Sequence, residues 1–185
     1  MAESFYVDPV LYKGRPTDCS GREAKEIEVY NFLDKYNIPY ERADHDAAPT
    51  IEACEEVEKV LGTKICKNLF LRNQQKTAFY LLMTPGEKPF VTKDFSKQMG
   101  ISRVSFAEES FMMELLGVKP GAVTVLGLMN DPDRDVTLAI DKDLLRDETI
   151  GCHPCVNTST LKIRISDLLE VFLRKTGHNP YKITL

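Results

Sequence analysis

Apolar positions along the chain recur with two periods, one helical and one alternating. Ala24, Ile27, Tyr30, Leu33 and Tyr36 mark one stripe of an amphipathic helix, and Ser20 with Glu23 three residues on forms a capping box ahead of it. The Asn37-Ile38-Pro39 turn stops that helix, and a short strand starts at Tyr40. Thr50 then caps a second helix, whose Ile51, Cys54, Val57 and Leu61 face the core before Gly62 ends it. Two apolar runs, from Lys67 to Arg72 and from Thr77 to Met83, flank the polar Asn73-Gln74-Gln75-Lys76 and predict a hairpin. Thr92 to Gly100 and Ala107 to Leu116 read as helices, the second closed by Gly117. Val123 to Leu128 and Val136 to Ile140 are β-branched, apolar runs around Asn130-Asp131-Pro132-Asp133, which predicts a strand pair with a tight connection. Thr160 to Ile165 alternates as a strand, and Ser166 caps a last helix from Asp167 to Lys175, with Gly177 as its left-handed stop.

Helices and hairpins interleave without strict β-α-β alternation, so the pattern predicts an α+β fold around one curved, mixed and mostly antiparallel sheet flanked by helices. Residues 1–19 hold Pro9, Gly14 and Pro16 without a period and read as an irregular N-terminal arm. Residues 20–185 form one domain, since no repeat, low-complexity tract or linker divides them. At 185 residues and 43% hydrophobic content the chain buries one substantial core. The net charge of −4 argues against broad binding to phosphate backbones and leaves room for a small, locally basic nucleic-acid site. No stretch approaches the roughly 20 apolar residues of a membrane span, and the first residues lack a basic flank and an apolar run, so the expected location is cytoplasmic. Five cysteines, an odd number in a chain of this size, do not make a disulfide framework.

Among residues able to carry chemistry, Cys152-His153-Pro154-Cys155 has the Cys-x-x-Cys form that lowers a thiol pKa in disulfide oxidoreductases. That form works at the start of a helix, whereas here a turn and a strand follow, and two cysteines packing small volumes beside a site loop explain it as well. A zinc site would want a second pair of ligands, and Cys66 stands alone. His153 sits between Gly151 and Pro154, which fix a turn that aims it, with Asn157, Thr158 and Thr160 as polar partners. His45 begins an Asp46-Ala47-Ala48-Pro49 loop, and His178 follows the last helix, where it complements the carboxyl-end dipole. Lys67 opens an otherwise apolar strand, so its ammonium is placed to reach a phosphate or ribose oxygen, or simply to stay in water. Gly121-Ala122-Val123-Thr124 puts small residues where exposed N–H groups can hold a carbonyl or oxyanion, and a plain turn accounts for it equally. The absence of a nucleophile elbow, zinc motif, phosphate loop or dinucleotide fingerprint removes most familiar hydrolase and nucleotide-enzyme readings.

Taken together, Thr50 in its setting after His45, Lys67-Asn68-Leu69-Phe70-Leu71, the Gly117 to Asp131 segment, His153-Pro154 with Asn157-Thr158, and the closing Gly177-His178-Asn179-Pro180 resemble the YbaK/prolyl-tRNA editing family. The likeness runs from about Arg22 to Leu185 and is nearest to the PrdX and ProXp-ala subfamily, which deacylates alanyl-tRNA(Pro). It implies that the family's substrate-contacting lysine falls on Lys67 beside Asn68, the loop histidine on His153, and the Gly-x-x-x-Pro loop that holds the aminoacyl carbonyl on Gly121-Ala122-Val123-Thr124-Val125. Val125 replaces the family's proline, which frees one backbone dihedral and restores an N–H.

The activity implied is hydrolysis of the ester between an amino acid and the terminal adenosine, with the tRNA's own ribose hydroxyl helping to activate water. The resemblance gives Lys67, Gly121 and His153 as catalytic residues, and His45, Thr50, Asn68, Ala122, Val123, Thr124, Val125, Pro154 and Asn157 as substrate-binding ones. It implies neither metal nor cofactor. The implied partners are the acceptor end of aminoacyl-tRNA(Pro), with alanine, cysteine or serine as the removed group, and transiently prolyl-tRNA synthetase; DNA and membrane are not among them. Two other readings compete: a non-catalytic aminoacyl-tRNA or amino-acid binding module in which Val125 has spoiled the chemistry, and thiol redox chemistry at Cys152 and Cys155.

Overall fold

The computed structural model describes residues 5–47 and 51–185, with the side chains of residues 51 and 52 outside that description. The first helix, α1 (Ala24–Lys35), starts at Glu23, not at a capping box, because the Ser20 hydroxyl is spent on Asp18 at 2.7 Å. Strand β2 (Tyr40–Asp44) and helix α2 (Ile51–Leu61) follow, and Gly62 at φ +67° stops the helix as its position predicts. The cap expected at Thr50 lies outside the described residues.

The hairpin is present as β3 (Cys66–Asn73) and β4 (Phe79–Pro85), paired antiparallel from Cys66 opposite Pro85 to Arg72 opposite Phe79. Helix α3 (Thr92–Met99), the short strand β5 (Val104–Phe106) and α4 (Glu109–Phe111), which continues as a wide turn over Met112–Leu116, come next. The strand expected at Val123 to Leu128 is instead a 3₁₀ helix, Val125–Asn130, in which Thr124 caps Leu126. The run from Val125 to Leu128 is buried throughout, as β4 and β6 (Val136–Asp141) also are in part, and a short apolar run with β-branching does not separate a buried strand from a buried helical turn. β6 (Val136–Asp141) therefore has no hairpin partner and lies parallel to β4. β7 (Thr149–Cys152) and β8 (Ser159–Arg164) form the last hairpin. The C-terminal helix runs as α5 (Ile165–Asp167), a wide turn Leu168–Phe172, and α6 (Leu173–Thr176); its N-cap position is Arg164, without a side-chain cap, and Ser166 lies inside the first turn, and β9 (Tyr181–Ile183) closes the chain.

The α+β class holds, but the sheet comes in two parts. One is antiparallel, in the order β1-β2-β8-β7, where β1 (Tyr12–Lys13) belongs to the N-terminal arm. The other is mixed, in the order β5-β3-β4-β6-β9. A single bridge between Ile65 and Gly151 joins them, with the Gly151 N–H donating to the Lys64 carbonyl at 2.8 Å. Gly151 is required there, since a Cβ would come within 3.0 Å of Leu61 and Ile65.

The main core fills the space between the sheets, with Tyr30 and Leu33 of α1, Phe70, Leu81, Met83, Leu138 and Ile140 of the mixed sheet, Leu161 and Ile163 of β8, and Phe172. Alternation sends Leu71, Leu82 and Ala139 to the opposite face, where Phe95 of α3 covers them. A third, smaller cluster lies under α2, where Val57 and Leu61 meet Ala43, and Phe5, Val7 and Leu11 of the arm pack against it. The arm is thus less irregular than its sequence: Val7 bridges His45, and the Asp46 N–H donates to the Tyr6 carbonyl at 2.9 Å. No helix among the described residues is long and apolar enough to cross a membrane.

Candidate active site

Where the two sheets meet, α2, the start of β3 and three loops enclose a cavity of about 350 Å³. Lys67 and Asn68 come from the first residues of β3, Gly121 and Val123 from the loop before the 3₁₀ helix, and His153 from the loop after β7. The remaining wall is Cys54, Glu55 and Glu58 of α2, Lys64, Ile65 and Cys66 beyond it, and Gly86 and Glu87 after β4. Volume and lining suit a small ligand with an apolar end and a few fixed polar contacts.

The polar groups are poised in different ways. The Lys67 ammonium donates to the Lys88 carbonyl at 2.5 Å. The Asn68 amide points its NH₂ at the Cys66 carbonyl and thiol, which leaves Oδ1 buried with no partner among the described residues, an acceptor that a ligand donor would satisfy. Gly121 has φ +84°, and a Cβ there would lie 3.3 Å from the Asn157 amide, so both conformation and space select glycine. The Ala122 N–H is taken by the Lys119 carbonyl, whereas those of Gly121 and Val123 have no partner among the described residues.

His153 is held from behind. Its Nδ1 lies 3.1 Å from the Ser159 carbonyl oxygen, which accepts only, so Nδ1 carries the proton and Nε2 keeps a lone pair. The same nitrogen approaches the Thr160 hydroxyl at 3.4 Å, and that hydroxyl donates to His45 Nε2 at 2.8 Å, while His45 Nδ1 donates to the Asp46 carbonyl at 2.7 Å. Burial drives His153 down to about 4, a downward push added to by nearby His45, and burial likewise lowers His45. Both imidazoles are therefore neutral at pH 7. Because an unfolded histidine titrates near 6.5, the unfolded chain binds protons between about pH 6.5 and 4 that the folded chain refuses, and stability falls as pH drops through that window. Urea midpoints at neutral and mildly acidic pH should show His153→Gln losing about 1 to 3 kcal/mol less on acidification than wild type; equal losses would remove this account.

The structure thus brings Lys67, Asn68, Gly121, Val123 and His153 to one cavity. His45 stands behind His153, not among the lining residues, with the ring centroids 6.3 Å apart. Ala122 is buried, Thr124 caps the 3₁₀ helix, Val125 is in the main core, Pro154 is buried, and Asn157 backs Gly121, so none of these lines the cavity. Thr50 lies outside the described residues. Val125 is the first residue of the 3₁₀ helix, a position proline also fits, so the loop follows a course that either residue permits. The sequence reading missed the α2 wall: Cys54 lines the cavity and is only partly buried, whereas its helical spacing placed it in the core. Glu55 and Glu58, four and seven residues from Ile51, carry no signal that separates a cavity wall from a solvated face.

The thiols do not form a redox pair. Cys152 and Cys155 are free and buried, and burial pushes Cys152 well above its ordinary value and Cys155 to about 12, the opposite of an activated thiol. We expect both to resist a neutral-pH alkylating reagent in the folded protein and to react after denaturation, read by mass spectrometry; labelling of either in the native state would contradict this.

The family model for the aminoacyl-tRNA editing domain matches residues 45–171, a span that holds every cavity-lining residue. The chain belongs to the aminoacyl-tRNA editing family. This editing domain is 34% identical over 182 residues to the prolyl-tRNA synthetase associated domain-containing protein 1 of Danio rerio, with 97% of each chain covered. It is 30% identical over 160 residues to the prolyl-tRNA editing protein ProX of Acetoanaerobium sticklandii, covering 86% of this chain and 96% of that one. A crystal structure described as a candidate trans-editing enzyme for prolyl tRNA synthetase superposes with a TM-score of 0.64 at 16% identity, over 88% of this chain and 98% of the other, and shows the same fold.

Proposed function

We propose that this editing domain acts in trans on mischarged tRNA(Pro), hydrolysing the ester of a small amino acid, alanine first, at the terminal adenosine. The observation that carries the reading is the convergence of Lys67, Gly121 and His153 on one cavity of small-ligand size. In this reading the aminoacyl carbonyl lies against the unpartnered N–H groups of Gly121 and Val123, which stabilise the oxyanion as it forms. Lys67 leaves the Lys88 carbonyl for ribose or phosphate oxygens of the terminal nucleotide. His153 accepts a hydrogen bond at Nε2 from the attacking water or the free ribose hydroxyl, and with its low proton affinity it orients this hydrogen bond and does not store the proton. The ribose hydroxyl helps activate the water, and orientation supplies most of the acceleration.

An editing site has a physical reason to exist, because a pocket built for proline discriminates by only about 1 to 3 kcal/mol per methylene against smaller amino acids. A cavity walled by Cys54, Cys66 and Val123 offers a second, tighter sieve. The acidic chain would meet only the acceptor end, so binding should be weak and salt-sensitive. Transient contact with prolyl-tRNA synthetase and work in the cytoplasm belong to the same proposal. The test is a panel of alanyl-, cysteinyl-, seryl- and prolyl-tRNA(Pro) incubated with purified protein. We expect ester loss fastest for the alanyl form and negligible for the prolyl form; loss no faster than spontaneous hydrolysis, with uncleaved substrate bound, would establish a non-catalytic binding module instead.

A further inference from the structure

Lys67 is a flexible side chain on the second residue of β3, yet its ammonium has a fixed address, the carbonyl of Lys88. That carbonyl sits on the turn after β4, a place where backbone is ordinarily mobile. Here the turn is tied down by its own side chain. Lys88 Nζ donates to Asp141 Oδ2 at 2.7 Å and Asp143 Oδ2 at 2.8 Å, and the Lys88 N–H donates to the Pro85 carbonyl at 3.1 Å. Asp141, at the end of β6, is wholly buried and also accepts from the Asp143 N–H and the Thr84 hydroxyl. Thr84 is in turn the register partner of Lys67 across β3 and β4. Both supports of Lys67, its strand neighbour and its hydrogen-bond acceptor, thus hang on one buried carboxylate.

A buried ion pair is a poor means of stabilising a fold, since well-packed apolar residues do as well or better. What it supplies here is direction. We propose that Lys88 and Asp141 are positioning residues that hold the Lys67 ammonium at the cavity through the Lys88 carbonyl. The inference rests on the proposed deacylation only for its kinetic readout. An ammonium held by a single backbone acceptor is aimed before the substrate arrives and is released to it by exchanging one acceptor for another.

Removing Lys88 alone would strand the buried Asp141 carboxylate, so the test is the double variant Lys88→Met with Asp141→Met, beside Lys88→Arg, all in the intact chain. With alanyl-tRNA(Pro) we expect the double variant to lose about tenfold in kcat with little change in KM and to cause no loss beyond that of Lys67→Ala when introduced in the Lys67→Ala background, while Lys88→Arg recovers most of the rate. Wild-type kcat in the double variant, or the same tenfold loss repeated in the Lys67→Ala background, would overturn the proposal in favour of a purely structural pair. A second readout needs no substrate: the ¹⁵Nζ signal of Lys67 should be sharp in wild type and broadened by solvent exchange in the double variant. An unchanged signal overturns the positioning role even if the chain deacylates nothing, whereas a broadened one with no deacylation in wild type overturns only the proposed reaction. If the double variant does not fold, Lys88→Arg decides: its Lys67 signal sharp supports the proposal, broadened with intact melting overturns it.

Discussion

Lys67→Ala should slow deacylation of alanyl-tRNA(Pro) by about a hundredfold or more while leaving thermal unfolding within a few degrees of wild type. The size follows from what the ammonium does: an oriented, charge-assisted donor in a partly enclosed site is worth roughly 10²–10³ in rate. The small effect on folding follows from its partner, since a single backbone carbonyl on a surface turn regains water when the lysine is gone. Lys67→Arg should restore little, because the planar fork cannot occupy the place of a compact ammonium beside the Lys88 carbonyl. Initial rates of ester loss under single-turnover conditions provide the measurement, and a variant as fast as wild type would take Lys67 out of the mechanism.

Asp131→Ala should cost about 3 kcal/mol, the larger of the two effects on stability, and lower the melting temperature by roughly 6 to 12 °C. Asp131 is nearly inaccessible and gathers three donors: the N–H groups of Asp135 and Val136, at 3.0 and 2.9 Å, and His178 Nε2 at 3.0 Å. The first two set where β6 begins; the third pins the segment after α6, whose His178 Nδ1 is already engaged with the Thr176 hydroxyl. Truncation leaves the Val136 N–H and the His178 ring donor buried and unpaired, and that penalty exceeds the net worth of the bonds. Asp131→Asn keeps an acceptor in place and should lose less than half as much. Calorimetry decides between them; equal melting temperatures for wild type and the alanine variant would mean that water replaces the carboxylate.

What the sequence made legible follows from which forces are local. The α1 stripe, the β3–β4 hairpin, and the glycine stops at 62, 117 and 177 are written in period and turn chemistry, and all appear where expected. The 3₁₀ helix at 125–130, the parallel pairing of β4 with β6, and the division into two sheets depend on contacts between distant segments, which no window along the chain contains. The same division runs through the site. Lys67, Gly121 and His153 are legible because each stands out chemically in its local run and because the resemblance to the editing family implies a role for each. His45 was visible too, but its place behind His153 is set by Thr160, 115 residues away. Lys88 and Asp141 looked like ordinary charges on a turn and a strand end, and only their meeting in space gives them a task.

The cavity has walls of unequal stiffness. Lys67, Gly121 and His153 are rooted in strands and loops that adjoin the main core, whereas α2 rests on the smallest of the three apolar clusters, clasped from outside by Phe5, Val7 and Leu11. Thermal opening of lowest energy should therefore begin at α2 and leave Lys67, Gly121 and His153 still. A molecule so built breathes at its doorway while its anvil stays fixed, and in the proposed reaction a bulky nucleotide end would enter and leave without disturbing the alignment it came to use.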